Sequence, residues 1–230
     1  MAAERDAVRV AAFDLDGTLA DTAPDLIGAV NAVLAAEGLP GLDALRDRAV
    51  AGRGGRAMLR LALERVGHPA AETTIERLLP AFLESYAARI AAETRVFPGA
   101  LDALDALAAK GWRLAICTSK PQALALRLLD ALGETGRFAA ILGADAAPAA
   151  KPDPAHLAAV AARAGGALSA TVMIGDTATD VETARRAGAP CVLVRFGYSD
   201  RPVDSLGADA TIADYRELPA ILSGLASRTA

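Results

Sequence analysis

The chain contains few of the residues that build histidine and thiolate sites. Its 230 residues include two cysteines, Cys117 and Cys191, and two histidines, His68 and His156. Neither histidine has a neighbour in the sequence that would complete a zinc site or a Cys–His nucleophile pair, so both kinds of chemistry are disfavoured. Both cysteines lie in apolar, strand-like runs, and we expect them to be buried, reduced thiols.

The sequence also lacks a basic segment and a long apolar segment. It carries 24 lysines and arginines against 28 aspartates and glutamates, a net charge of -4, which argues against nucleic acid or a membrane surface as a partner. No stretch reaches the roughly 18 uninterrupted apolar residues of a membrane span, and the first residues do not resemble a signal segment. We therefore expect a cytoplasmic protein, either a monomer or a homodimer.

What the chain does have is a regular alternation of strand and helix patterns. Six short apolar runs predict strands, and helical patterns separate most of them. The runs lie at residues 8–16, 112–119, 138–144, 171–176, 190–195 and 208–212, and the helical patterns at 99–110, 121–131, 154–164 and 178–187. Such alternation predicts an α/β fold, with a parallel sheet and helices on both of its faces.

One block, residues 20–95, interrupts this alternation. It contains helical patterns only, over 23–37, 43–50, 55–66 and 72–92, and no credible strand. We interpret it as an inserted all-helical domain. Its expected hinges at 20–25 and 94–100 each contain a proline, which favours a turn. The predicted division is a catalytic core of residues 1–19 and 96–230, with a helical cap of residues 20–95.

Polar side chains follow the predicted strands at the points where the strands end. Because the carboxyl ends of parallel strands meet at one edge of a sheet, we expect these side chains to converge in one crevice. They are Asp14 and Asp16 after the first strand, Thr118 and Ser119 after the second, Lys151 beyond the third, and Asp176 with Asp180 after the fourth.

This set of residues favours phosphate chemistry on a hard metal ion. Packed carboxylates repel each other unless a cation neutralises them, and oxygen ligands without histidine or thiolate favour Mg²⁺. Asp14, Asp176 and Asp180 are the candidate ligands. One carboxylate beside the metal can act as a covalent nucleophile, and a second, two residues on, can donate and accept a proton. Lys151 and Thr118 can hold a transferring phosphoryl group.

The segments "DLDGT", "TS", "KPDP" and "GDTATD" together resemble the four-motif signature of the haloacid dehalogenase-like hydrolases. The resemblance implies a Rossmann-like core with a cap, and an aspartyl-phosphate formed on the first aspartate. It assigns the nucleophile to Asp14, the general acid and base to Asp16, whose backbone carbonyl also binds Mg²⁺, and phosphate positioning to Thr118 and Lys151. Asp176 then resembles a metal ligand, and Asp180 either a ligand or a residue behind one.

A finer resemblance, to the phosphoglycolate phosphatases, rests on three further segments. They are "FDLDGTLADTAPDL", "TSKPQ" and "FGY" near "GADATI". It implies a small phosphorylated metabolite as substrate, with 2-phosphoglycolate the first candidate. Ser119 departs from this pattern, because those enzymes usually have asparagine there. A sugar phosphatase, a phosphomutase or a pyrophosphatase on the same scaffold remains an alternative. The early position of "DLDGT" argues against a receiver-type signalling module, and the acidic cluster argues against carbon dehalogenation.

Other candidate residues have an ordinary structural explanation as well. Arg53 and Arg56, in the glycine-rich segment "AGRGGRAM", could meet a substrate anion, or could be solvated arginines at a turn that opens a helix. Lys120 could contact substrate because it lies beside Thr118. Gly17 could let the backbone approach a ligand closely, while Asp180 could simply cap the helix that follows it.

Overall fold

The structure is a computed structural model that describes residues 8–69 and 72–226. Residues 1–7 of the predicted core, residues 70–71 of the predicted cap and residues 227–230 lie outside the described residues. In chain order the elements are β1 (Val10–Phe13), β2 (Ala20–Asp21), α1 (Ala23–Ala36), α2 (Arg48–Ala51), α3 (Gly54–Arg65), α4 (Glu72–Ala88), β3 (Arg95–Val96), α5 (Ala100–Ala109), β4 (Arg113–Cys117), α6 (Gln122–Ala131), β5 (Ala140–Leu142), α7 (Pro154–Arg163), β6 (Thr171–Gly175), α8 (Ala178–Ala187), β7 (Cys191–Val194), β8 (Ala210–Ile212) and α9 (Leu218–Ala226).

The main sheet has six strands in the order β5-β4-β1-β6-β7-β8. Every neighbouring pair is parallel. The first strand therefore lies in the middle, with Val10 opposite Arg113 on one side and Thr171 on the other. The predicted α/β fold with a parallel sheet is confirmed, since each of the six apolar runs contains one of these strands. The sheet order reverses at β1, and in such folds ligands bind at that point.

Alternate residues of the strands enter two separate cores, as the two-residue repeat of a strand requires. Ala11 and Phe13 of β1 pack on one face with residues of α5, α6 and α9. Val10 and Ala12 pack on the other face with residues of α7 and α8. Both cysteines are buried and form no disulfide, which confirms that expectation. Over the described ranges, no helix combines the length and the apolar character needed to cross a bilayer.

The helical segment of α1 to α4 connects to the core through a small antiparallel sheet. Ala20 of β2 pairs with Val96 of β3, and Asp21 pairs with Arg95. The expectation of no strand between residues 20 and 95 is therefore wrong at both ends of that block. The chain leaves and re-enters the core side by side, so two short extended pieces can satisfy each other's backbone groups. Each is too short to show a strand period in the sequence. The domain division at residues 20 and 95 stays a prediction.

The helix predicted over residues 43–50 is also wrong, because α2 spans only Arg48–Ala51. Aspartate side chains accept hydrogen bonds from backbone N–H groups at the start of the predicted helix. The Asp43 carboxylate accepts from the backbone N–H of Leu45 and of Arg46, and Asp47 accepts from the N–H of Asp43. Such local bonds favour turns over helix.

A buried carboxylate, Asp25, fastens the first turn of α1 to the chain that returns to the core. It accepts hydrogen bonds from the backbone N–H of Glu93 at 3.0 Å and of Thr94 at 2.8 Å, and from the Thr94 hydroxyl at 2.8 Å. Arg89 Nε adds an ion pair at 3.2 Å. Because Asp25 has no solvent exposure, these partners replace the water that its charge would otherwise require.

Replacing Asp25 by alanine should therefore lower the free energy of unfolding by about 3 kcal/mol, since it leaves several buried donors without an acceptor. Urea unfolding followed by circular dichroism measures this loss. Asp130, exposed near the end of α6, provides the control, and Asp130→Ala should change stability by less than about 0.5 kcal/mol. Equal losses in the two variants would contradict the role given to Asp25.

Candidate active site

The three central strands deliver three of the predicted side chains to one edge of the sheet. Asp14, Thr118 and Asp176 directly follow β1, β4 and β6. Lys151, in the loop between β5 and α7, reaches the same place. Its Nζ lies 3.2 Å from Asp14 Oδ1 and 2.7 Å from Asp180 Oδ1. Residues spread over more than 160 positions of the chain are thus brought together, as predicted.

Asp14, Asp176 and Asp180 form an acidic cluster. Each offers an oxygen, and these oxygens all lie within 4.8 Å of one another. Burial raises the pKa of Asp14 to about 6, against the opposing effect of Lys151. Burial and the neighbouring charges of Asp180 and Asp14 also raise the pKa of Asp176 well above its usual value. Buried carboxylates this close, without histidine or thiolate, suit a hard divalent cation.

Two of these carboxylates are held firmly by their neighbours. Asp176 accepts from the Thr18 hydroxyl at 3.0 Å and from the backbone N–H of Tyr198 at 2.6 Å. Asp180 Oδ2 accepts from the N–H of Thr177 at 3.0 Å and from its hydroxyl at 2.9 Å, at the start of α8. Asp180 therefore takes part in capping the helix and also pairs with Lys151, while its role toward a metal ion stays a prediction.

Gly17 makes this packing possible. Its backbone has φ +79°, a conformation that glycine adopts without the cost a side chain would add. A Cβ here would lie 2.4 Å from Asp176 Oδ2 and 2.6 Å from the Tyr198 ring. We expected a close approach of ligand to backbone at Gly17. What approaches it in the structure is the Asp176 carboxylate and the Tyr198 ring.

Beside the acidic cluster lies a second charged group built on Asp16. Lys120 Nζ is 2.9 Å from Asp16 Oδ1 and 3.0 Å from the hydroxyl of Tyr86 in α4. Thr118 is buried, and its hydroxyl accepts from the backbone N–H of Lys120 at 3.2 Å. Ser119 is exposed between them. The segment after β4 thus places Lys120 against the carboxylate of Asp16.

A cleft of about 800 Å³ opens between this edge of the sheet and the helical segment. Asp16, Ser119, Lys120 and Lys151 line its core side, and Arg53 and Arg56 line the opposite side. Arg56 forms ion pairs with Glu72 at 2.8 Å and Glu76 at 2.7 Å. Arg53 is exposed and forms no ion pair within the described residues. The two candidate arginines therefore differ in their freedom to meet an anion.

Tyr198, for which no role was predicted, links the acidic cluster to the base of the helical segment. Besides its backbone contact with Asp176, its hydroxyl donates to Asp21 Oδ1 at 2.8 Å. The same hydroxyl accepts from the N–H of Thr22 and of Ala23. Tyr198 ends the segment "FGY", whose only signal in the sequence is the resemblance to phosphoglycolate phosphatases. No spacing shows that residue 198 lies beside residue 22.

A family model of haloacid dehalogenase-like hydrolases matches residues 8–188. The chain belongs to the haloacid dehalogenase-like hydrolase family. The phosphoglycolate phosphatase of Caulobacter vibrioides is 48% identical over 208 residues, which cover 90% of this chain and 88% of that protein. The one of Mesorhizobium japonicum is 42% identical and covers 90% and 91%. The expected family and enzyme class, a phosphatase of this family, are confirmed.

A solved structure of a predicted phosphoglycolate phosphatase from Haemophilus somnus has the same fold. It superposes with a TM-score of 0.85 at 26% identity, over 93% of this chain and 97% of that one. The family match spans all four motifs, and the cluster described above is where they meet.

The raised pKa values predict how a metal ion affects stability at different pH. A carboxyl group whose pKa is higher in the folded than in the unfolded state favours folding when protonated, and this contribution is lost as the pH rises. For Asp14 the loss runs from its usual value of 3.8 to about 6. A bound cation offsets that loss, so Mg²⁺ should raise the melting temperature more at about pH 7.5 than at about pH 5.

Thermal unfolding with and without Mg²⁺ at the two pH values measures this difference. Asp176→Asn should remove most of the metal-dependent rise, whereas Asp130→Asn, far from the cluster in an exposed position, should keep it. A rise of the same size at both pH values would show that protons and the metal do not compete for the cluster.

Proposed function

We propose that this protein is a Mg²⁺-dependent phosphatase that hydrolyses 2-phosphoglycolate through an aspartyl-phosphate on Asp14. One observation carries the proposal. At the edge of the sheet, Asp14 lies 3.2 Å from Lys151 within the acidic cluster, and Asp16 lies two residues on, beside the cleft. The identity of the substrate is inferred from the relatives named above, which are phosphoglycolate phosphatases. A cytoplasmic location, and a monomeric or dimeric state, stay predictions from the sequence.

The residues fit the metal that the family resemblance implies. Asp14, Asp176 and Asp180 would hold Mg²⁺, together with the backbone carbonyl of Asp16. The bound ion would supply positive charge against the cluster and the phosphate oxygens. The positive charge of Lys151 lies beside the same oxygens and would also balance the charge of a phosphoryl group.

In the first step Asp14 attacks phosphorus. Its Oδ1 accepts from the N–H of Leu15 at 2.7 Å and faces Lys151, so the carboxylate is held in place while one of its oxygens forms the bond. As the new bond to phosphorus forms, the bond from phosphorus to the alkoxide of glycolate breaks. Asp16, protonated at this point, gives its proton to the departing alkoxide.

The second step reverses these proton roles. Asp16, now a carboxylate, takes a proton from a water molecule as the water oxygen attacks phosphorus. The bond between phosphorus and Asp14 breaks, which releases inorganic phosphate and restores both carboxyl groups. Asp14 thus acts as the nucleophile, and Asp16, two residues on, acts as the acid–base group in both steps.

Asp14→Asn should lower kcat for 2-phosphoglycolate at least about 10³-fold, because an amide of the same shape cannot form the aspartyl-phosphate. Excess chelator should abolish the activity of the unchanged protein, and added Mg²⁺ should restore it. Phosphate release measures both effects. The mechanism fails if Asp14→Asn retains its turnover or if chelated protein stays fully active.

The preference for one substrate over another depends on the charged side chains that line the cleft. Phosphoglycolate carries a carboxylate that a cation must meet, and Arg53 is the candidate because Arg56 is already paired with two glutamates. Arg53→Gln should lower kcat/KM for 2-phosphoglycolate about 10- to 150-fold, the range of one charged hydrogen bond. Ethyl phosphate, which lacks the carboxylate, should be nearly unaffected.

Arg56→Gln is the matched control, and it should affect both substrates alike. Steady-state kinetics on the two substrates measures the difference. If Arg53→Gln also affects both alike, the arginine serves only the folding of the helical segment. A tenfold higher kcat/KM for a sugar phosphate or pyrophosphate than for phosphoglycolate would contradict the proposed substrate. It would not contradict the proposed phosphatase mechanism.

A further inference from the structure

Lys120 is enclosed between the core and the helical segment. Its side chain is only 3% exposed, and its ammonium lies between Asp16 on the core side and Tyr86 on α4. The ammonium is 3.0 Å from the Tyr86 hydroxyl and 4.5 Å from the centroid of its ring. A cation held by both the hydroxyl and the ring of one tyrosine has little freedom to turn elsewhere.

Tyr86 itself is fixed in place. It is buried in α4, and its ring stacks on that of Phe82, one turn earlier, with 6.2 Å between centroids and an interplanar angle of 8°. The position of the Lys120 ammonium is therefore set by a residue of the helical segment, 34 positions away in the chain.

The Asp16 carboxylate presents its two oxygens to different surroundings. Oδ1 is buried, faces Lys120 at 2.9 Å and has no well-directed hydrogen bond to any described residue. The side chain as a whole is 16% exposed and lines the cleft. The ion pair thus holds Oδ1 and leaves Oδ2 to face a substrate. If Lys120 moved, Oδ1 would lose the charge that fixes the rotation of the carboxyl group.

We propose that Lys120 and Tyr86 are positioning residues for proton transfer by Asp16. Tyr86 holds Lys120, and Lys120 orients the Asp16 carboxyl group toward the oxygen of the leaving group. This role rests on the proposed function, in which Asp16 protonates that oxygen. It differs from the direct substrate contact expected of Lys120 from the sequence. It also makes proton transfer depend on the seating of α4 against the core.

The chemistry of the leaving group separates this role from a structural one. Glycolate leaves as an alkoxide and needs a proton, whereas acetyl phosphate releases acetate, which is stable without one. A variant that misplaces Asp16 should therefore lose kcat/KM on 2-phosphoglycolate and keep it on acetyl phosphate. The ratio of the two values cancels any loss of folded protein. Where p-nitrophenyl phosphate is the better substrate, it serves in place of acetyl phosphate for the same reason.

Three variants give a graded series. Tyr86→Phe keeps the ring under the ammonium and removes the hydroxyl, and we expect the ratio to fall about 3- to 10-fold. Tyr86→Leu removes both contacts and should lower it about 10- to 100-fold. Lys120→Met should approach the effect of losing the general acid, about 100-fold or more. Arg77→Gln breaks an exposed ion pair of α4 with Glu37 at 2.8 Å and should leave the ratio unchanged.

A fall in the ratio that follows this order supports the proposal. Equal losses on both substrates, or no loss in any variant, would overturn it. If Lys120→Met does not fold, as judged by circular dichroism, the two Tyr86 variants decide the question. Absence of turnover of both substrates by the unchanged protein would instead contradict the proposed phosphatase function, so the two failures can be told apart.

Discussion

The compensation of buried negative charge is the constraint on which the rest of the site depends. Asp14 and Asp176 follow the strands β1 and β6, and Asp180 lies in the first turn of α8. Their oxygens come within 4.8 Å of one another, and all three residues are buried. Lys151 supplies one positive charge between Asp14 and Asp180. Burial, and after it the remaining negative charge, raises the pKa values of Asp14 and Asp176, and both make the cluster suited to a cation.

The same need for partners organises the junction with the helical segment. Asp25 is buried and takes its hydrogen bonds from the chain that returns to the core. Tyr198 connects Asp176, through its backbone, to the start of α1, through its hydroxyl. Tyr86 of α4 meets Lys120, which in turn faces Asp16. The contacts of Tyr198 and Tyr86, which hold the helical segment on the core, are thus also contacts of the candidate site residues.

The sequence predicted the main strands, the helices and the parallel topology well, because the signals for these features lie in neighbouring residues. Apolar runs such as that of β1 and the helical patterns between them each depend on neighbouring residues, and parallel topology follows from their alternation. The ends of the strands then located Asp14, Thr118 and Asp176 without further information. The errors also have local causes. The strands β2 and β3 are two residues each, and the turns at Asp43 and Asp47 compete with a helical pattern that is otherwise sound.

By itself, the sequence determined which residues are candidates for the chemistry, since the ends of the predicted strands and the four motifs place the acidic residues and Lys151 at one edge. Only the tertiary structure decided which partner each charge takes. Arg53 and Arg56 are alike in sequence, but within the described residues the fold brings Glu72 and Glu76 to Arg56 and not to Arg53. The sequence offered Lys120 as a possible substrate contact, and the fold brings Tyr86 of α4 to its ammonium. Such pairings join residues tens to more than a hundred positions apart, and they arise from the packing of whole elements, which no local pattern in the chain records.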